Sequence, residues 1–148
     1  MVSKEVEKLL LKVQKPGRYV GGELNEVIKD KKKVDCRFAF CFPDTYEVGM
    51  SHLGMKILYS LMNAVPYIWC ERVFAPWVDM EEEMIKHNIP LYALESGDPV
   101  SDFDFIGFTL QYELSFTNML NMLRLSSVPI KSCDRKELKN IVVAGGPC

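Results

Sequence analysis

Two histidines, His52 and His87, are all the imidazole in the 148-residue chain, and no two of its five cysteines stand in a CxxC spacing. The first scarcity leaves little room for a Ser–His–Asp constellation, because His87 falls in a highly charged helical pattern. The second removes zinc ribbons and thioredoxin-like redox pairs. The scattered set Cys36, Cys41, Cys70, Cys133 and Cys148 also offers no disulfide framework. No apolar run approaches the about 20 residues that a membrane-spanning helix needs. The amino end, MVSKEVEKLLLKVQKPG, alternates charged with apolar residues instead of forming a secretory core. These features together predict a reduced, cytoplasmic protein. A strong charge of one sign is missing too. The net charge is −2 and the pI near 5.7, which excludes a broad electrostatic grip on nucleic acid or anionic lipid. The KDKKK run at 29–33 reads as a solvated turn.

What the chain does have is apolar residues, 48% of the total. A chain of this size buries about 68–70% of its unfolded surface, so no metal or disulfide staple is needed. Four β-rich runs stand out: VDCRFAFCF (34–42), IWCERVFAPW (68–77), FDFIGFTLQ (103–111) and KNIVVAGGPC (139–148). Helical patterns alternate with them. Leu53, Ile57, Leu58, Leu61 and Val65 predict a buried stripe ahead of Pro66. Residues 79–88 open on Asp79 as an N-cap with acids behind it, and Phe116, Met119, Leu120 and Leu123 predict the buried face of the next helix. A short extended piece is expected at 90–96. Strand–helix alternation predicts a doubly wound, flavodoxin-like α/β fold with a mostly parallel sheet and helices on both faces. Residues 1–33, a short helix over 5–13 and an irregular arm, precede the α/β domain of 34–148. That domain is expected to be incomplete after its fourth strand, and an exposed sheet edge would suit pairing with a second copy.

In open parallel sheets ligands bind beyond the carboxyl ends of the strands, where the strand order reverses. That rule selects 43–52, 109–115 and 144–147. GMSHLG lacks both the GxGxxG spacing and the GKS or GKT ending of phosphate loops. Asp44 has no preceding acid pair and reads as a turn-capping residue. The Glu81–Glu83 run reads as a solvated helix start. Gly145 and Gly146 allow either a plain turn or the close approach of a ligand.

KPGRYVGGELN, RFAFCFPDTYEVGMSHLGMKILY, ERVFAPWVDM, LESGDPVSDFDFIGFTLQYELSFTNMLNML and VVAGGPC together resemble the start of an uncharacterised radical SAM family. Its members carry an N-terminal cobalamin-binding-like domain. The resemblance runs from about Pro16 to Cys148. It implies a B12-binding-type domain over a downstream barrel that holds a [4Fe–4S] cluster and S-adenosylmethionine. The CxxxCxxC loop of such barrels is missing here, so no catalytic residue and no metal ligand is expected in this chain, which should be inactive alone.

The resemblance also bears on His52. B12-binding domains with histidine on cobalt use D-x-H-x-x-G, whereas this sequence reads Met50-Ser51-His52-Leu53-Gly54. The acid is absent and the glycine comes one residue early, so His52 reads as a first-turn helix residue. Thr109 occupies the place of the pattern's serine, and Gly145-Gly146 that of the glycines beside the nucleotide tail. Corrin binding without histidine ligation and a retained fold without ligand both stay open. The candidate cofactor-binding residues are Asp44, Thr45, Gly49, Ser51, His52, Thr109, Gln111, Gly145 and Gly146.

Three functions follow. The first is a domain holding a corrinoid or part of the substrate above the downstream barrel. The second is a ligand-free docking domain, with Trp69, Phe74, Trp77 and Tyr92 as candidate contacts. The third is a flavin carrier, weakened because FPDTYEVGM has a single Thr where such proteins use a Ser/Thr-rich phosphate loop.

Overall fold

A computed structural model describes residues 3–135 and 139–148. Four strands, β1 (Cys36–Phe42), β2 (Ile68–Phe74), β3 (Phe105–Thr109) and β4 (Ile141–Gly145), form one sheet in the order β2-β1-β3-β4, every pair parallel. Among the described residues five α-helices accompany them: α1 (Lys4–Leu10), α2 (Tyr46–Ser51), α3 (Leu53–Asn63), α4 (Val78–His87) and α5 (Ser115–Leu125). Strand order reverses between β1 and β3, as in doubly wound flavodoxin-like sheets.

Period-two alternation sorts each strand onto two cores. Ala39, Cys41, Val73, Ile106 and Phe108 meet α1, α4 and α5 through Val6, Leu9, Met80, Met84, Met122 and Leu123. Phe40, Phe42, Cys70 and Phe74 meet α3 through Met55 and Tyr59 on the other face.

Helix faces depart from the sequence reading. In α3 the buried residues are Met55, Tyr59 and Asn63, while Leu53 (68% exposed), Ile57, Leu58 and Leu61 (61%) lie outside. The reason is Arg72, which points from β2 into that face and stacks on the Tyr59 ring at 4.5 Å. Tyr59 also takes a hydrogen bond from the Val27 amide at 2.8 Å, and the Asn63 amide pairs with Cys70 N and O at 3.0 and 2.9 Å. A leucine could do neither. In α5, Phe116 and Leu120 are exposed, and Ser115, Met122, Leu123 and Leu125 are buried. In α4 the N-cap is Trp77, not Asp79. Asp79 sits in the first turn and accepts the Gln14 amide at 2.7 Å, anchoring the amino-terminal arm. Lys29, expected in a solvated turn, instead donates to the carbonyls of Asn63, Val65 and Ile68 and closes the end of α3.

The outer edge of β2 is closed. Asn63 takes Cys70, Glu95 accepts the Arg72 amide at 2.7 Å, and Leu94 N donates to Arg72 O at 2.9 Å. Two ion pairs lie beneath. Arg72 Nε meets Glu95 Oε1 at 2.6 Å, and Arg37 Nη2 meets Glu71 Oε1 at 2.5 Å. Burial pushes both carboxyls above their ordinary range, against the pull of their arginines. Removing one partner of such a pair leaves an uncompensated buried charge. We expect Glu95→Ala to lower stability by about 3–5 kcal/mol and the double change Arg72→Met/Glu95→Leu to cost much less, measured as urea midpoints. Equal losses in the two variants would show that the pair is solvated.

Candidate functional site

All four strands end at one edge, and three of the turns there converge. After β1, Asp44 forms a node. Its carbonyl accepts the Ala75 amide at 3.0 Å, its Oδ1 accepts the Thr45 amide at 2.6 Å, and its Oδ2 takes the Tyr112 hydroxyl from the turn after β3. That bond to a carboxylate raises the Tyr112 phenol above its ordinary value. Asn118 Nδ2 adds a 2.9 Å bond to Pro43 O. On the other side of β3, Leu110 N donates to Gly145 O at 2.7 Å.

His52 bridges the first two turns. It caps α3, its Nδ1 accepting the Met55 amide at 3.1 Å, and its Nε2 lies 3.1 Å from Gln111 Oε1. An acceptor at Nδ1 puts the proton of the neutral ring on Nε2, which therefore donates to Gln111. Gln111 passes the contact on, donating through Nε2 to Thr109 Oγ1 at 2.5 Å. The imidazole lies 5.3 Å from the Phe42 ring, centroid to centroid. A β-carbon on Gly54 would press on the imidazole at 2.9 Å, so the glycine one place early serves the histidine's own fold-back onto its helix. Both ring nitrogens are engaged, and neither is free for a metal.

Of the nine candidate residues, the structure brings together Asp44, His52, Thr109, Gln111, Gly145 and Gly146. Gly145 has open space where a side chain would begin. Gly146, at φ 144°, sits against the Leu110 backbone so closely that only glycine fits. Three candidates lie elsewhere. Gly49 is buried in α2, where a β-carbon would enter the Phe74 ring, so its role is packing. Ser51 is exposed and bonds back to Val48 O at 2.8 Å. Thr45 lines a narrow cavity of about 20 Å³ at the β2 side, with Arg18, Tyr46 and Trp77. Arg18 closes that cavity, holding Glu47 down at about 2 through their hydrogen bond. Tyr112 lies inside the selected segment 109–115 without being singled out, and Asn118 lies beyond it. Their place in the turn and helix after the third strand was the available signal.

Among the described residues no three His, Cys, Asp or Glu side chains are grouped to hold a metal ion. Cys41 and Cys70 are buried, and burial raises both thiols well above their ordinary values, away from the thiolate that binds iron. The described residues include no helix long and apolar enough to cross a membrane.

The four parallel strands with helices on both faces define the class of doubly wound, flavodoxin-like α/β domains. The particular family is given by sequence comparison. Residues 54–148 match the family described as "Radical SAM proteins, N-terminal", and the chain belongs to it. The chain is 27% identical over 110 residues to "Uncharacterized protein MJ0966" of Methanocaldococcus jannaschii, an alignment covering 74% of this chain and 19% of that protein. It thus spans about a fifth of the relative's length. No solved structure matches it.

The cap predicts that His52→Ala costs about 1 kcal/mol and His52→Asn a fraction of that. Nitrogen NMR of the wild-type ring should show the Nε2–H tautomer; the Nδ1–H form would contradict the cap. Anaerobic reconstitution with iron and sulfide should leave the chain colourless, and a stable brown product would contradict the absence of a grouped thiol set among the described residues.

Proposed function

We propose that this chain is the N-terminal part of a radical SAM enzyme and that its strand-end seat holds a corrinoid or part of the substrate. In the whole protein, S-adenosylmethionine and a [4Fe–4S] cluster belong to a downstream barrel, and they supply radical chemistry there. Residues 1–33 serve as an arm on the α/β unit of 34–148. The observation that carries the reading is the pair of links Asp44–Tyr112 and His52–Gln111–Thr109, which ties the turns after β1 and β3, with the Leu110 N–Gly145 O bond joining the turn after β4 beside the open position at Gly145.

The donor set restricts how a corrinoid would sit. His52 spends one nitrogen on its helix and the other on Gln111, so it fits poorly as an axial cobalt ligand. Thr109, Gln111 and the backbone at Gly145 and Gly146 would orient the ligand by hydrogen bonds and by close approach. A cytoplasmic setting agrees with the unpaired thiols.

A second reading, a docking domain without a small ligand, is favoured by the exposed aliphatic stripe of α3. The aromatic residues proposed for that role from sequence support it less. Trp69, Phe74 and Tyr92 are buried and only Trp77, at 48%, is exposed.

Titration with hydroxocobalamin distinguishes the two. The seat predicts micromolar binding with a shifted corrin spectrum that shows no histidine ligation. Gly145→Leu, which fills open space, should weaken binding at least about tenfold, or roughly 1.4 kcal/mol, while circular dichroism stays unchanged. No corrin binding by a full-length protein that remains active would assign the docking reading.

A further inference from the structure

The sheet is clothed unequally. On the α1/α4/α5 face the core is continuous from β2 to β4. On the opposite face α3 lies over β1 and β2, and among the described residues no helix lies above the alternate residues of β3 and β4. Phe105, Gly107 and Thr109 of β3 pair there with Ile141, Val143 and Gly145 of β4. Ile141 and Val143 are exposed, and Phe38 stacks on Phe105 at 6.2 Å as the floor.

α3 supplies a wall. At 100° per residue, Met55, Tyr59 and Asn63 face the sheet, and Lys56 turns toward Asn25 in the arm, with which it lines a small cavity on the β2 side. The other flank, carried by the exposed Leu58 and the half-buried Met62, therefore turns toward β3 and β4, while Ile57 and Leu61 point away from the sheet. The result is a groove with an apolar floor and an apolar wall.

We propose that this groove is the seat of an amphipathic α-helix from the rest of the longer radical SAM protein. Three considerations select that occupant. The first is width. Two strands beyond α3 span about 10 Å, and one helix with its side chains is about 10–12 Å across. The second is handedness. β1 to β2 steps one way with α3 on this face, whereas β2 to β3 and β3 to β4 step the other way with α4 and α5 on the opposite face. A further right-handed step outward past β4 would again place its helix opposite, so this groove is filled by a segment that returns across the sheet. The third is supply, since the relative aligned here is about five times the length of the matching region.

A second copy of the chain fits less well. The occupant must present apolar side chains to the floor and to α3 at once, and α3 of a second copy has already spent one side on its own sheet. The proposal rests on the membership of a longer radical SAM protein and not on the ligand seat.

The test compares the 148-residue chain with the full-length protein, each as wild type, as Leu58→Glu, and as Leu11→Glu, a control at a 90% exposed leucine outside the groove. Hydrogen exchange of the β4 amides should be at least about tenfold slower in the full-length wild type than in the short chain. Leu58→Glu should lower the urea midpoint of the full-length protein and leave that of the short chain in place; Leu11→Glu should be silent in both. Equal β4 exchange in the two wild types overturns the proposal, and decides alone if full-length Leu58→Glu does not fold. A short chain that is dimeric, and becomes monomeric with Leu58→Glu, also overturns it and assigns the groove to a second copy. Hydroxocobalamin titration of the same variants separates this groove from the seat. Unchanged corrin binding with a lowered midpoint leaves the seat intact, and absent binding with the predicted exchange difference leaves the groove intact.

Discussion

β1 lies between two strands that the chain reaches in opposite directions, and the right-handedness of each crossover sets most of the remaining structure. Stepping from β1 to β2 places α3 on one face. Stepping back past β1 to β3 places α4 on the other. The turns leaving β1 and β3 therefore part company at their carboxyl ends, and the gap between them cannot be filled by either connection. Asp44, His52, Gln111 and Tyr112 tie that gap into a fixed shape. Three of these side chains are also engaged at home: Asp44 with the Thr45 amide, His52 with the Met55 amide, Gln111 with Thr109.

The strands and their alternation were legible in the sequence because a continuous β-rich run has few alternatives. Helix faces were not. Apolarity marks residues that tolerate burial, but it does not say which side of a helix has something to bury against. In α3 the choice fell to Met55, Tyr59 and Asn63 because the floor beneath them carries Arg72 and the polar edge of β2, which Tyr59 and Asn63 can satisfy. The clue was present in IWCERVF, where adjacent Glu71 and Arg72 interrupt an apolar run and must each find a partner on its own side of the sheet. The partners, Arg37 and Glu95, are distant in sequence, so no local pattern names them.

The strand-end rule selected turns that the fold brings to one edge, without discriminating within them. It selected Asp44, Gln111 and Gly145, which lie at the strand-end edge, together with Gly49 and Ser51, which do not, because a turn running into a helix soon carries its residues away from the edge. Glycine is ambiguous in a further sense: Gly49 is small to admit the Phe74 ring, and Gly146 is small to admit the Leu110 backbone. The histidine was the more informative residue. Its unfavourable spacing for cobalt has a positive counterpart in Gly54, whose missing side chain lets the ring fold over the first turn of α3. A residue that resembles a degraded ligand motif is, in this setting, a complete helix cap.

The thiols and the two unfinished surfaces can be understood together. Cys41 and Cys70 point to opposite faces of the sheet, each buried in a separate core, so nothing in the sheet brings them to one metal. Their burial raises the thiols and suits them to packing. Polar groups collect at the strand-end edge of this unit, and uncovered apolar groups on the α3 side of β3 and β4. These two surfaces meet at Thr109 and Gly145, which close the groove at its upper end and floor the seat. An element resting in the groove would form one boundary of the seat, so the shape offered to a ligand depends on what covers the sheet. Closing the core and completing the pocket are then the same physical event.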